Sequence, residues 1–190
     1  IQRDDLTVSV YTSNKVVFQG ADAEYYGTSF IETRFKRQAG SDEVGTGDYF
    51  GPVVVVASIV EESDEELINK YHINDSKQMN DEDILKCAPL LREKIKHSLL
   101  ILEPEQYNRV HETNNLNMIK AKMHNQAYLN LKARGYKIPS AAYVDQFCDP
   151  NLYYKYLVQE KEVYHELIFE TKAESKYPAV AVSSVIARYV

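Results

Sequence analysis

An unbroken run of β-branched and small residues, Val53-Val54-Val55-Val56-Ala57-Ser58-Ile59-Val60, follows a glycine-rich turn that carries two adjacent carboxylates. A run this short and this apolar, bounded by Gly51 and Pro52, predicts a strand. Upstream, Gly40-Ser41-Asp42-Glu43-Val44 leads into Gly45-Thr46-Gly47, so the two segments are expected to pair as an antiparallel hairpin. Neighbouring side chains of a strand point to opposite faces. Asp42 and Glu43 therefore share one site only if the backbone turns there. Gly45 and Gly47 are expected to supply that turn and to bring backbone amides close to a ligand. Taken alone, the commoner meaning of such a pair is a solvated acidic tip, since turns collect acidic residues.

The length, 190 residues, accommodates one domain with a sizeable core, or one domain and part of another. No apolar run approaches membrane-spanning length and no basic-then-apolar leader is present, so no membrane partner is expected and the cytoplasm is the expected compartment. The two cysteines, Cys87 and Cys148, lack metal-ligand spacing, read as inert buried thiols, and fit a reducing compartment. The formal net charge of −6 counts mildly against a nucleic-acid partner, unless part of it is a cluster of metal-binding carboxylates. The sequence opens at Ile1 without an initiator methionine and stops in mid-pattern at Val190, which reads as a piece of a longer protein.

Leu6 to Tyr11 and Lys15 to Phe18 predict a β-hairpin turning at Thr12-Ser13-Asn14. Ala21 to Gln38 reads as a linker that ends in the solvated basic cluster Arg34-Phe35-Lys36-Arg37. Beyond the hairpin of residues 40 to 60, Ser63 is expected to cap a short helix, and Asn80 to cap another that Pro89 kinks or splits. Ser98 to Leu102 reads as a strand, Pro104 opens a short helix, and Asn115 begins the longest one, which stops at Gly135. Ala141 to Asp145 and Val163 to Phe169 read as further strands, with a helical turn or two after Pro150 and a buried helix over residues 179–190. The order predicts an α/β mixed sheet flanked by helices, antiparallel at one side and parallel at the other.

Four carboxylates stand at strand ends: Asp42, Glu43, Asp145 and Glu174. Side chains there converge on the ligand crevice of an α/β sheet. Together at neutral pH they repel, so one has a raised pKa or cations neutralise them. Oxygen-only ligands select hard cations such as Mg2+ or Mn2+, and two such ions about 4 Å apart are the usual apparatus for phosphodiester hydrolysis. Spacing alone leaves open the other reading, scattered acids of no common purpose.

Several motifs in order carry a resemblance: Gly40 to Gly47 with Gly51-Pro52, Asn74-Asp75-Ser76-Lys77, Asn114-Asn115-Leu116-Asn117, Tyr143-Val144-Asp145, Lys172 to Pro178, and Ser183 to Arg188. Together they resemble the type 2 ribonuclease H group, most closely bacterial ribonuclease HIII. The resemblance implies a ribonuclease H-like fold and cleavage of the RNA strand of RNA/DNA hybrids, leaving 5′-phosphate and 3′-hydroxyl ends. It places the catalytic, metal-binding carboxylates at Asp42, Glu43, Asp145 and Glu174, with two Mg2+ or Mn2+ ions. Gly45-Thr46-Gly47 stands where ribonuclease HII enzymes usually have Gly-Arg-Gly, and Glu174 where they have an aspartate. The resemblance also implies two domains. Residues 1–37 would be the remnant of an N-terminal domain similar to the TATA-binding protein fold, plus a linker. Residues 38–190 would be the catalytic domain, cut short before the helices that follow in the family.

Substrate contacts are expected from Gly45, Thr46 and Gly47, from Ser76 and Lys77 beside Asp75, and from Lys172, with Lys176 on the other flank of Glu174. Lys120, Lys122, Lys132 and Arg134 read as a solvated helix face, and the five histidines as structural or surface residues. Tyr49 and Tyr177 are candidates for stacking on nucleotides. A monomer is expected. The alternatives are an HII-type enzyme incising at single ribonucleotides, a two-metal DNA nuclease, and a binding module without turnover.

Overall fold

A computed structural model describes residues 2–3, 6–11, 16–23, 35–48 and 50–190, apart from the side chains of residues 2, 3 and 74–76. The chain forms two compact units, Ile1–Lys36 and Arg37–Val190. In the first, β1 (Gln2–Arg3), β2 (Leu6–Val10) and β3 (Val16–Gln19) form an antiparallel sheet in that order. The pairing of Thr7 with Gln19 and of Val10 with Val16 is the expected hairpin. Its turn at Thr12-Ser13-Asn14, the start of its second strand at Lys15, and linker residues 24–34 with Arg34 lie outside the described residues.

The second unit runs through β4 (Gln38–Val44), β5 (Val53–Val60), α1 (Glu65–Lys70), α2 (Asp81–Lys94), β6 (Lys96–Leu102), α3 (Pro104–His111), α4 (Leu116–Ala133), β7 (Ala142–Asp145), α5 (Pro150–Tyr156), β8 (Ile168–Glu170) and α6 (Pro178–Tyr189). Its five strands lie in the order β6-β5-β4-β7-β8. β4, β5 and β6 pair antiparallel, whereas β4, β7 and β8 pair parallel. The mixed sheet is the one the strand order predicted.

All eight residues of β5 are buried because helices cover both faces. Val55, Ala57 and Ile59 meet Ala127, Tyr128 and Leu131 of α4. On the other face the Ser58 hydroxyl donates to Ala179 O of α6 at 2.9 Å. α6 comes so close that a Cβ at Gly40 would lie 2.7 Å from Ala179 C, a distance real side chains do not reach. The Ser183 hydroxyl donates to Gly40 O at 2.8 Å and ties helix to strand. Asn115 caps α4 by accepting from the Met118 amide at 2.9 Å, and Gly135, at φ +80°, ends it.

Three local expectations are corrected. Of the kink or split expected at Pro89 the split is ruled out, since α2 runs through it; the amide it lacks would have bonded the carbonyl of Leu85, a residue exposed enough for water to serve instead. Ser63 is not the cap: the chain enters a 3-10 turn at Glu62, where the Glu61 amide donates to Asp64 Oδ2 at 2.8 Å, and α1 begins at Glu65. The strand expected over Val163–Phe169 shrinks to Ile168–Glu170. The preceding backbone is bonded to a helix side chain, with the Tyr164 amide donating to Asn125 Oδ1 and Asn125 Nδ2 donating to Glu162 O.

Candidate metal and nucleic-acid site

β4 carries its side chains alternately to α6 and α4. Gly40 backs onto α6, and Ser41 faces His124 of α4. Asp42 consequently points to the α6 side and Glu43 to the α4 side. Both are still in the ladder, opposite Val56 and Val55, so the backbone does not turn between them and the expectation that glycines would bring them together is corrected. The turn starts after Val44.

Asp145 ends β7. Its neighbour Val144 belongs to the α4-side core, so Asp145 shares the face of Asp42. Asp145 Oδ1 accepts from the Ala173 amide at 2.8 Å, and Glu174 follows in the same 3-10 turn. That turn is entered through Lys172 in the left-handed region, at φ +55°. Three carboxylates thus gather where β4 and β7 meet α6. Burial, and next the charge of Glu43, push the Asp42 carboxyl up to about 7, although the Ser184 hydroxyl bonds it. Burial also raises the Asp145 carboxyl, with the charge of Glu174 contributing, although the Ala173 amide acts the other way. For Glu174 burial acts upward too, but the Lys77 ammonium in ion contact with Oε1 holds the carboxyl below its ordinary value. Neither Glu174 oxygen accepts a hydrogen bond of good geometry, though the side chain is almost wholly buried.

Glu43 is held from the other side. Lys120 Nζ lies 2.9 Å from Oε1 and His124 Nε2 lies 2.9 Å from Oε2. These partners outweigh burial and lower its pKa. An ionised carboxylate only accepts, so His124 donates from Nε2. Nδ1 is 2.8 Å from Ser41 Oγ, which fixes the ring. Lys120 is buried, its ammonium 4.1 Å from the Phe147 ring centroid. Both readings of these residues from sequence are corrected: Lys120 is no solvated lysine, and His124 belongs to the site. Their signal was a lysine and a histidine one helical turn apart on a stripe with Ile119, Met123 and Ala127. The remaining basic residues do lie outward, Lys122 and Lys132 paired with Glu160 and Glu162, and Arg134 donating to His97 O. Arg37, expected in a solvated cluster, instead pairs with Glu61 at 2.7 Å.

Of the expected substrate contacts, Gly45, Thr46 and Gly47 follow Glu43 by two to four residues and line a cavity with α3. Gly45 has φ +84°, and a Cβ there would run into Pro52 O, so the turn itself demands glycine. Lys77 reaches Glu174, and Lys172 is exposed beside it. The side chains of Asp75 and Ser76, and all of Tyr49, lie outside the described residues. Tyr177 is engaged in packing, stacked on Tyr143 at 3.6 Å between centroids. Lys176 pairs with Glu170 at 2.9 Å. Cys87 is buried and Cys148 only half-buried.

Among the described residues, no three His, Cys, Asp or Glu side chains already stand as a ready ligand set. The donors nevertheless fit a hard divalent cation. They are all carboxylate oxygens, two of them buried on Glu174 without a hydrogen-bond partner, and an ammonium already balances the negative charge there.

Residues 39–190 match the family described as Ribonuclease HII, and residues 2–42 match a domain of unknown function (DUF3378). The chain belongs to the ribonuclease HII family. Within that family it is 41% identical to the Ribonuclease HIII of Streptococcus gordonii over 97% of its own length and 66% of the relative's. The figures for the Streptococcus thermophilus Ribonuclease HIII are 41%, 97% and 67%. The chain thus spans about two thirds of the length of the curated relatives it matches. The structure superposes on that of Bst-RNase HIII in complex with Mn2+ with a TM-score of 0.82 at 34% identity, covering all of this chain and 69% of that one. The RNase HII of Archaeoglobus fulgidus, solved with PCNA, follows at a TM-score of 0.65 and 28% identity, over 80% of this chain and 70% of that one. Within this family the chain is most like the HIII members.

Proposed function

We propose that the chain is the greater part of a metal-dependent endoribonuclease that hydrolyses the RNA strand of RNA/DNA hybrids, leaving 5′-phosphate and 3′-hydroxyl ends. The observation that carries this reading is the gathering of Asp42, Asp145 and Glu174 on one face at the end of the parallel strands, with Glu43 locked beside them. Asp42, Asp145, Glu43 and Glu174 are the residues that would hold two Mg2+ or Mn2+ ions, Asp42 and Asp145 as ligands common to both, with Glu43 and Glu174 each supporting one. When bound, such ions activate a water for in-line attack and steady the leaving oxygen. The chain's own part is positional. His124 and Lys120 fix the Glu43 carboxylate, the Ala173 amide fixes Asp145, and Asp42, its pKa raised to about 7, would release its proton to solvent on metal binding. Gly45, Thr46 and Gly47 present backbone to the RNA strand, with Ser76, Lys77 and Lys172 toward phosphates. The unit Ile1–Lys36 is read as the end of a substrate-binding domain, and the protein as a cytoplasmic monomer. Among the described residues no helix is long and apolar enough to cross a membrane.

The test is cleavage of three labelled duplexes, RNA/DNA hybrid, all-DNA, and DNA with one ribonucleotide, with Mg2+ or Mn2+ and an Asp145→Asn control. Cutting of the hybrid alone, abolished in the control, is expected. Cutting at the lone ribonucleotide would move the chain to HII-type activity, and cutting of all-DNA to a DNA nuclease. Binding of hybrid without any metal-dependent cutting would leave a binding module.

A further inference from the structure

Behind Glu43 a row of polar side chains crosses the core between the sheet and α4. His124, Ser41 and Tyr128 are all fully buried, and Tyr128 packs among Ala39, Val55, Leu131 and Val144. The row starts at the Glu43 carboxylate, with His124 Nε2 at 2.9 Å, and continues from Nδ1 to Ser41 Oγ at 2.8 Å. The Ser41 hydroxyl also bonds the Tyr128 hydroxyl, which donates to Tyr143 O at 2.6 Å. The far end is thus the backbone of β7, two residues before Asp145. Gly40 lies opposite Tyr143 and Ser41 opposite Val144, so Asp42 and Asp145 come next on the two strands. His124 and Tyr128 stand one turn apart on α4.

Hydrogen bonds inside a core largely replace those made to water, so apolar groups of the same shape would hold α4 on the sheet about as well. What they would not do is orient the imidazole. His124 stacks on Phe147 at 5.4 Å between centroids. Stacking sets the plane of the ring but is indifferent to which edge faces Glu43. With the ring turned over, a carbon would stand where Nε2 or Nδ1 now meets its partner. The Ser41 oxygen at Nδ1 selects the orientation that keeps Nε2 on Glu43. Tyr128 holds that oxygen in turn, its own hydroxyl anchored on a carbonyl of the sheet.

We propose that Ser41 and Tyr128 are positioning residues for the metal site: acting through His124, they hold the Glu43 carboxylate at a fixed place relative to the strand that carries Asp145. This rests on the reading of the chain as a metal-dependent nuclease.

The test is Mn2+ affinity, read by titration calorimetry on metal-free protein, in a cycle of Ser41→Ala, Tyr128→Phe and His124→Ala. Ser41→Ala and Tyr128→Phe each remove a single oxygen, so both are expected to keep a cooperative thermal transition. Each is expected to weaken Mn2+ binding about fivefold, the worth of one hydrogen bond. In a His124→Ala background the same two changes should alter affinity by less than about twofold, because the residue they act through is gone. Hybrid cleavage at limiting Mn2+ should fall with the affinity and recover at saturating Mn2+, with KM for the hybrid unchanged. Wild-type Mn2+ affinity in a single variant would overturn the role of that residue. Equal losses with and without His124 would overturn both, since the row would then act only on the packing of α4. If the unaltered protein binds no Mn2+, the underlying reading fails instead, a result seen before any variant is made.

Discussion

Glu43 and His124 of α4 meet at 2.9 Å beside Asp42, and Lys120 holds the other carboxylate oxygen at the same distance. Partners that orient a ligating carboxylate typically contribute a factor of about 10–100 in metal affinity. His124→Ala is therefore expected to weaken Mn2+ binding about tenfold or more, read by titration calorimetry on protein whose thermal transition remains cooperative. His124→Gln, which keeps a donor on a side chain of similar reach, should recover part of the loss. Equal Mn2+ affinity in all three proteins would show that the clamp does not set the ligand.

The pKa of Asp42 gives a pH dependence with a definite sign. Its folded value, about 7, lies above the ordinary 3.8, so between these values the native state binds a proton that the unfolded chain has released. Stability from this group falls as pH rises from about 4 to 7 and is level above. Glu43 and Glu174, both lowered, act oppositely and only at the acid end, losing stability as pH falls below the ordinary 4.5. In metal-free protein wild type should lose stability relative to Asp42→Asn as pH rises from 5 to 7. Mn2+ binding at pH 6 should release about one proton, and close to none from Asp42 at pH 8.5. Proton release that does not change between these pH values would place the pKa of Asp42 elsewhere.

The mixed sheet and most helix ends were legible because each rests on local chemistry. The β-branched run of β5, the Asn80 and Asn115 caps and Gly135 each act within a turn or a strand. The three-carboxylate face was legible only as residues standing at strand ends. Its division from Glu43 follows from the period-two alternation of a strand that continues to Val44, and the glycines downstream gave a false reason to end it early. Lys120 and His124 were misread because helix periodicity reports which face is buried, not which buried position meets a carboxylate 77 or 81 residues away. The strand expected at Val163 failed for a similar reason: Asn125, distant in sequence, takes its backbone bonds.

Gly40 and Gly47 make a paired test of why a glycine is present. At Gly40 a Cβ would press on the backbone of Ala179 and Val180, atoms that move only if α6 moves. Gly40→Ala is expected to cost about 3 kcal/mol, at the upper end of overpacking. Gly47→Ala should stay within about 0.5 kcal/mol of wild type. Denaturant titration distinguishes them, and equal stability of the two variants would show that α6 does not lie so close to β4.

Tyr153 is buried with its hydroxyl unpaired among the described residues, packed with Ala121 and Leu157. Its ring meets the edges of Phe169 and Tyr154 at 4.9 and 5.3 Å between centroids, and these contacts do not involve the oxygen. Burial pushes the phenol pKa well up, so the group stays neutral and its cost is that of a hydroxyl taken out of water with nothing in return. An unsatisfied buried group of this kind costs about 1–3 kcal/mol, against a smaller loss for the space left by one oxygen. Tyr153→Phe is accordingly expected to stabilise the protein by about 1 kcal/mol, a rise of about 2–4 °C in melting temperature for a unit of this size. Tyr153→Ala, which also removes the ring, should destabilise by about 3 kcal/mol or more. A fall in melting temperature for Tyr153→Phe would mean that the hydroxyl has a partner in solution, and a buried water bonded to it would be the group to seek.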